Sequence, residues 1–152
     1  MKLEIFKTKD GSHSLLVPEM NETYHSTHGA ITESKYVFIE KGLEYYNYIN
    51  SLKKINVLEV GFGTGLNALL TCMATEQLKV QTNYVSLETN PIDQNIVNQL
   101  NYHEMLDYRN GAKLFKSLHA VDWNDLVKIN EYFSVKKITT PLQDYIGETE
   151  QF

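Results

Sequence analysis

The alternation of apolar and polar runs along the chain predicts strands separated by helices from residue 55 onward. Short apolar runs over Ile55–Val60, about Thr82–Leu87 and Phe133–Ile138 predict three strands. Apolar residues at helical spacing from about Gly65 to Thr75 predict a helix between the first two. Strands joined through helices pair in parallel with right-handed crossovers, so the pattern predicts an α/β fold with a parallel sheet and flanking helices.

Further helical segments are predicted between and after these strands. Asn90 followed by Pro91 is typical of an N-cap and a first helical position, and Asp93 then lies in the first turn. Another helix is predicted around Ala112–Leu118, and Pro141–Ile146 predicts a short one. Three parallel strands leave a sheet edge with unpaired backbone groups, which folded proteins normally cover or extend.

The first 54 residues form a separate predicted region. Asp10-Gly11 lies between two strand-like runs and predicts a hairpin with a two-residue type I′ turn. The polar stretch Glu19–Ser34 predicts an irregular loop, and a helical apolar pattern begins at Tyr36 and continues through Ile49. We therefore divide the chain into an N-terminal hairpin, polar loop and helix over 1–54 and the first part of an α/β domain over 55–152.

Three alternate glycines, Gly61, Gly63 and Gly65, lie between the first predicted strand and its helix. Glycine adopts positive φ without steric penalty, so the backbone can wrap closely around a ligand at the helix N-terminus, where free N–H groups favour an electron-rich partner. The pattern therefore predicts a cofactor-binding loop. A glycine turn that only lets the helix pack on the strand is the structural alternative.

The spacing of this loop argues against a dinucleotide. The dinucleotide-binding sequence G-x-G-x-x-G/A has its third small residue at the sixth position, where this chain has Leu66. Glu88 closes the second apolar run, where its carboxylate is placed to accept hydrogen bonds from two ribose hydroxyls. A Gly-x-Gly-x-Gly turn preceded by Glu59 and followed by such an acid resembles the first two motifs of the S-adenosylmethionine (SAM) dependent methyltransferases.

Composition and charge narrow the picture further. The chain has 152 residues, 42% of them hydrophobic, which is the size of a domain with one core. Its net charge of −5 gives no global positive field, so any RNA binding must come from a local patch or a partner. Cys72 is the single cysteine and is predicted to fill the core, so no disulfide can form within the chain. No signal-like or membrane-spanning run is found, and we expect a cytoplasmic protein.

Three segments together are more specific than the glycine loop alone. Asn21–Ile39, Glu59–Asn67 and Ser86–Pro91 resemble, in order and spacing, the methyltransferase domain of the bifunctional tRNA-modifying MnmC family and its standalone relatives. In that family the domain transfers a methyl group from SAM to the exocyclic amine of 5-aminomethyl-2-thiouridine at the tRNA wobble position. The resemblance implies a Rossmann-like class I methyltransferase fold, SAM as cofactor and tRNA as substrate. Whether a flavin-dependent modification partner supplies the substrate amine stays open.

The resemblance also implies two sets of site residues. Those that bind the cofactor are Glu59, Gly61, Phe62, Gly63, Thr64, Gly65, Asn67 and Glu88. Those that fold over the cofactor and the substrate mouth are Tyr24, Ser26, Glu33 and Ser34. Glu59 is either an acid on the SAM side or a residue that fixes the glycine loop by accepting its N–H groups, and we favour the second role.

The chain departs from the family pattern at its C-terminus. The family continues with a fourth strand that ends in Asp-x-Phe-x-Pro, whose aspartate lies at the methyl-transfer centre, and Gln151-Phe152 lies about where that strand begins. We therefore interpret the chain as the N-terminal part of a larger domain and assign no catalytic residue. Two alternatives stay open: a catalytically silent remnant or interaction module, and a methyltransferase that acts on a small amine.

Several other residues have a structural interpretation. His25 and His28 lack further ligands at metal-binding spacing, so we predict loop hydrogen bonding and no metal site. Asp122-Trp123 is predicted to anchor the core, and the lysines between residues 128 and 137 to form a solvated face. Tyr45, Tyr46 and Tyr48 are predicted to be half-buried packing residues.

Overall fold

The computed structural model describes residues 2–147, which form two sheets and the helices around them. The strands are β1 Glu4–Lys7, β2 His13–Val17, β3 Glu22–Thr23, β4 Lys54–Val60, β5 Gln81–Leu87, β6 Leu126–Lys128 and β7 Phe133–Ile138. The α-helices are α1 Ala30–Ser34, α2 Tyr45–Asn50, α3 Leu66–Leu78, α4 Gln94–Val97, α5 Tyr102–Met105 and α6 Gly111–Ala120. A π-helical segment, Lys35–Glu44, joins α1 to α2, and Leu142–Asp144 is a 3₁₀ turn.

The main sheet confirms the predicted α/β fold. Its strand order is β4-β5-β7-β6, with the first three strands parallel and β6 antiparallel to β7. The three predicted strands are confirmed, as is the helix between the first two, now α3. β6 was not predicted, because three residues are too few to show an alternating pattern; its partner is β7. Gln151 and Phe152, where the family resemblance places the start of a fourth strand, lie outside the described part of the chain.

β4 is an edge strand whose outer side has no partner among residues 2–147. The carbonyl of Lys53 and the N–H of Gly61 bond to β5, so the ladder turns odd-numbered residues of β4 towards β5. The N–H and C=O groups of Asn56, Leu58 and Val60 therefore point away from the sheet. This is the open edge that three parallel strands imply. β6 covers the opposite edge of the parallel strands.

The N-terminal region forms a small antiparallel sheet of β1, β2 and β3. The hairpin is confirmed, but the predicted two-residue turn is wrong, because Lys7 pairs with His13 and five residues connect the strands. The Asp10 carboxylate organises this wider loop by accepting hydrogen bonds from Ser12 and from Thr32 at the start of the helical region. Although its partial burial works to raise the pKa of Asp10, these hydrogen bonds lower it well below its usual range.

The long helical region begins earlier than predicted. Its first turn is α1 at Ala30, inside the stretch predicted as an irregular loop, and it continues without a break to Asn50. Ile39 and Leu43 are its buried residues in the π-helical segment, whereas Tyr45, Tyr46 and Tyr48 are 58%, 52% and 81% exposed. The predicted half-burial of the three tyrosines is therefore wrong, and no residue of α2 is buried.

Two further helical predictions need correction. Asp93, not Asn90, is the N-cap of α4, because its side chain accepts the N–H of Asn95 at 2.7 Å. The helix predicted around Ala112–Leu118 is confirmed as α6, while Pro141–Ile146 contains only a 3₁₀ turn.

One core lies between the sheet and α3, the π-helical segment and α6. Tyr84 and Phe133 pack with ring centroids 5.4 Å apart on the face of the sheet that α3 covers. Cys72 on α3 is fully buried, as predicted, and burial raises the pKa of its thiol to about 12. The same core takes in Leu15 and Ala30 from the N-terminal region, and the division of the chain at residue 54 stays a prediction.

Candidate functional site

A cleft of about 330 Å³ lies between the glycine loop and the N-terminal region. It opens at the carboxyl end of β4, which is where ligands bind in α/β sheets of this kind. The predicted site residues that line it are Tyr24, Glu33, Gly61, Phe62, Gly63, Thr64 and Asn67. The remaining lining residues were not predicted as site residues; they are His25, Val37, Phe38, Val60 and Leu66.

The glycine loop adopts a backbone conformation that only glycine takes without strain. Gly61, Gly63 and Gly65 have φ angles of 90°, 50° and 73°. A Cβ atom on Gly63 would lie 3.2 Å from the Tyr24 ring, and one on Gly65 would lie 2.8 Å from Nε2 of His119. The loop is therefore packed against side chains from two distant parts of the chain.

Glu88 lies at the end of β5, directly beside this loop. Its carboxylate accepts the backbone N–H of Gly63 at 2.9 Å and that of Asn90 at 2.7 Å. Carboxylate oxygens accept more than one hydrogen bond each, so this group is fixed in place and still has acceptor capacity for a ligand. The residue that accepts an N–H of the glycine loop is thus Glu88, whereas the sequence suggested Glu59 for this role.

Glu59 lies at the end of β4, beneath the loop, and accepts a hydrogen bond from the Ser86 hydroxyl on the neighbouring strand. The residue as a whole is half-buried, but desolvation of its carboxyl group raises the pKa to about 7, although hydrogen bonds from Ser86, Tyr84 and Asn67 oppose the shift. Near neutral pH this carboxyl group is therefore protonated in an appreciable fraction of molecules.

The predicted residues of the N-terminal loop take different places. Tyr24 and Glu33 face the cleft, and the Glu33 carboxylate accepts the backbone N–H of Ser26 at 2.8 Å. Burial, together with the charge of Glu88, raises the pKa of the Tyr24 hydroxyl, so that this group is a neutral hydrogen-bond donor. Ser34 is fully buried, with a hydroxyl oxygen that has no hydrogen-bond partner among the described residues.

Thr64 is held by two histidines that approach from opposite ends of the chain. Nε2 of His25 lies 2.8 Å from the Thr64 hydroxyl, and Nε2 of His119 lies 3.1 Å from the Thr64 carbonyl. Loop hydrogen bonding was predicted for His25, but its partner is the glycine loop and not its own loop. Nothing in the local sequence around His119 indicates a role at the site.

Lys137 departs most clearly from its predicted environment. It was assigned to a solvated face, but it is 2% exposed, and its ammonium group lies 4.9 Å from the ring centroid of Trp123 and 5.2 Å from that of Phe62. Desolvation lowers its pKa to about 8, although the charge of Asp122 opposes the shift. Burial between two aromatic rings keeps this lysine beneath the glycine loop.

The residues present fit a nucleoside-bearing cofactor. A cleft of this volume is within the range of small-molecule sites, and its lining combines apolar residues such as Phe38 with a few polar groups. Oδ1 of Asn67 is buried without a hydrogen-bond partner in the described part of the chain, so it offers an acceptor to a ligand. The fixed carboxylate of Glu88 provides a second acceptor at the level of the loop.

No group of three or more His, Cys, Asp or Glu side chains among residues 2–147 is arranged to hold a metal ion. No helix in this range has the length and apolar character needed to cross a membrane.

A parallel sheet, a glycine loop into a helix, and an acid at the end of the adjacent strand define the Rossmann-like class of nucleotide- and nucleoside-binding α/β proteins. The fold matches the crystal structure of MnmC2 from Aquifex aeolicus with a TM-score of 0.68 and 27% sequence identity, over 90% of this chain and 42% of that one. The chain is thus a relative of the MnmC2 methyltransferase domain and is similar to proteins of the MnmC family.

Curated relatives agree with this assignment. The tRNA 5-methylaminomethyl-2-thiouridine biosynthesis bifunctional protein MnmC from Legionella pneumophila strain Corby is 32% identical over 88 residues, which are 51% of this chain and 13% of that protein. The protein of the same description from Magnetococcus marinus is 37% identical over 81 residues, or 51% of this chain and 12% of its own length. The chain thus spans a small part of these relatives. No protein-family model matches the chain.

Proposed function

We propose that the chain is the SAM-binding part of a methyltransferase that acts on the exocyclic amine of 5-aminomethyl-2-thiouridine at the tRNA wobble position. The single observation that carries the proposal is the convergence of the glycine loop and the Tyr24 side chain on one cleft, with the Glu88 carboxylate fixed beside it by the N–H of Gly63. The choice of substrate is supported by the names of the relatives, which refer to biosynthesis of the methylated form of this nucleoside.

Each feature of the cleft has a separate task in this proposal. The loop from Gly61 to Gly65 lets the ligand approach the backbone closely, and Glu88 accepts hydrogen bonds from its ribose hydroxyls. On the other side of the loop, Asn67 accepts a hydrogen bond from a polar group of the ligand. Tyr24 and Glu33 cover the opening and help to exclude water.

The reaction itself depends mainly on positioning. SAM supplies a methyl group on a sulfonium centre, and the acceptor amine must reach it unprotonated and in line. The described residues hold and orient the cofactor, whereas the aspartate that the family resemblance implies at the transfer centre has no counterpart in the 152 residues. We therefore assign cofactor binding to this chain and no catalytic residue.

Isothermal titration of SAM into the purified chain tests the proposal directly, with NADH as a matched nucleotide control. Binding of SAM without binding of NADH supports the proposal. Transfer of labelled methyl groups is then measured with two acceptors, tRNA that carries 5-aminomethyl-2-thiouridine and a small primary amine. The acceptor that is methylated distinguishes the tRNA hypothesis from the small-amine alternative. A chain that is folded by circular dichroism and binds no SAM contradicts the proposal.

One observation favours a second candidate, an interaction module that acts through a partner polypeptide. The backbone groups of Asn56, Leu58 and Val60, which have no strand partner among residues 2–147, lie along an apolar groove of about 720 Å³ between β4 and the exposed side of the helical region. Such an edge accepts an extended polypeptide segment as an additional strand. A folded chain without SAM affinity favours this second candidate.

A further inference from the structure

The glycine loop is supported from below by a group of part-buried and buried side chains outside the cleft. His119 on α6 and Lys137 on β7 both contact the loop, although neither lines the cleft. Phe62 is the loop residue that meets both: its ring lies 5.3 Å from that of His119 and 5.2 Å from the Lys137 ammonium group. The loop therefore rests on two elements that the chain reaches only after residue 111.

The hydrogen bond between His119 and Thr64 defines the state of the imidazole. A backbone carbonyl only accepts, so Nε2 of His119 must carry the proton that it donates to the Thr64 oxygen 3.1 Å away. Burial, aided by the charge of Lys137, lowers the pKa of His119 to about 4, which agrees with a neutral ring. Two aromatic edges, from Phe62 and from Phe115 at 4.7 Å, hold the ring plane.

Thr64 depends on this donor. The following carbonyl, that of Gly65, enters the helical ladder by accepting the N–H of Leu69, but the Thr64 carbonyl has no backbone donor among the described residues. His119 is its hydrogen-bond partner in that range. A buried carbonyl left without a donor is unfavourable, so the loop conformation and the imidazole are energetically linked.

Lys137 fixes the other end of this contact. Its Nζ donates to the carbonyl of His119 at 2.9 Å, which satisfies a carbonyl in the last turn of α6. The same ammonium group lies over the Phe62 ring. Lys137 thus positions the backbone of His119 while the His119 side chain positions the loop.

We propose that His119 is a positioning residue for the glycine loop, which it holds in the ligand-accepting conformation through the Nε2–H bond to the Thr64 carbonyl. This inference rests on the proposed function only for the identity of the ligand, SAM. The close approach of Nε2 to Gly65 explains why this position has no room for a side chain, independently of its positive φ.

Three variants of the full chain test the proposal. His119→Leu removes the donor, and we expect SAM to bind roughly tenfold more weakly, as loss of about 1.4 kcal/mol implies. His119→Gln retains an N–H donor at the end of its side chain and should restore most of the affinity. His103→Leu is the matched control, because His103 also packs on Phe115, at 5.8 Å, but makes no hydrogen bond to the loop among the described residues.

A measurement without ligand separates this inference from the proposed function. Long-range ¹H–¹⁵N spectra of the wild-type chain should show His119 as the Nε2–H tautomer, and His119→Leu should shift the amide signals of Gly63 and Gly65 more than His103→Leu does. If wild type binds no SAM, the proposed function fails, and these spectra still decide the role of His119.

Several results would overturn the inference. An Nδ1–H tautomer, or loop amide signals that are the same in His119→Leu and in wild type, contradicts it. So does a folded His119→Leu chain that binds SAM as tightly as wild type. If His119→Leu does not fold, a folded His119→Gln chain that has lost the wild-type signals of Gly63 and Gly65 contradicts it as well.

Discussion

The Glu88 carboxylate accepts the backbone N–H of Gly63 at 2.9 Å, which ties the end of β5 to the loop that follows β4. The two residues are 25 positions apart in the chain, and only the parallel pairing of the two strands brings them together. Because the other carboxylate oxygen accepts the N–H of Asn90, the acid has a fixed orientation before any ligand binds. Preorganisation of this kind lowers the cost of binding.

Replacement of Glu88 by alanine should weaken SAM binding by roughly 1–3 kcal/mol, because the ligand loses a charged acceptor for its ribose hydroxyls. Isothermal titration measures the change. Glu76→Ala, which removes an exposed acid from α3, serves as the control and should leave the affinity unaltered. Equal affinities for the wild-type and Glu88→Ala chains would remove the assigned role of this residue.

The Gly63→Val chain should not bind SAM. A branched side chain is strained at φ 50°, and its Cβ would meet the Tyr24 ring at 3.2 Å, so that loop and ring must both shift. The control is Gly111→Ala at the start of α6, where a Cβ finds its nearest neighbour at 3.6 Å, an ordinary contact. Titration of both chains, with circular dichroism to show that they fold, checks the prediction. SAM binding by a folded Gly63→Val chain would show that the loop does not cradle the cofactor.

Backbone amides of β4 should exchange with solvent at two distinct rates. The N–H groups of Val57 and Glu59 bond to β5 and should be protected, whereas those of Asn56, Leu58 and Val60 face the open edge. Hydrogen exchange followed by NMR resolves the individual amides. Protection of all five to the same degree in the isolated chain would mean that the outer side of β4 is paired in solution.

Glu59 should make the stability of the chain depend on pH in a specific direction. Its folded-state pKa of about 7 lies above the unfolded value of 4.5, so the native state holds the proton more tightly and stability falls as the pH rises from 4.5 through 7. Relative to wild type, Glu59→Gln should gain roughly 1–3 kcal/mol across this window, as one pKa unit corresponds to about 1.4 kcal/mol.

Urea unfolding of both chains at several pH values measures this difference. Comparison of two chains is necessary, because the pKa of His119 is lowered to about 4 and stability that depends on its neutral form is lost as the pH falls from 6.5 through 4. That contribution is common to both chains and cancels in the difference. A difference that stays constant from pH 4.5 to pH 8 would refute the raised pKa of Glu59.

The burial of Lys137, which was predicted to be solvated, could have been recognised from the sequence. Phe133, Val135 and Lys137 alternate along β7 and therefore share one face of the sheet, and the first two are fully apolar. This period of two places Lys137 in the core, although its charge suggested a solvated face. Trp123 and Phe62, which make burial of the ammonium group tolerable, come from distant parts of the chain and gave no such signal.

Other features had no local signal at all. The exposure of Tyr46 depends on which side of the helical region packs against α3, and apolar spacing alone does not tell a core-facing aromatic residue from one on the open side. The two histidines that hold Thr64 are 94 residues apart, at positions 25 and 119, and meet there only because the segment after β3 and α6 both pack against the glycine loop.

The sequence by itself determined the three parallel strands, the glycine loop and the resemblance to the MnmC family, because periodicity, positive-φ glycines and motif spacing are properties of short segments. The tertiary structure alone decided that Glu88 fixes the loop, that His119 and Lys137 support it, and that β4 is the strand at the open edge among residues 2–147. The physical reason is that hydrogen bonds and burial depend on which segments meet, and strand order and helix packing set those meetings over long separations in the chain.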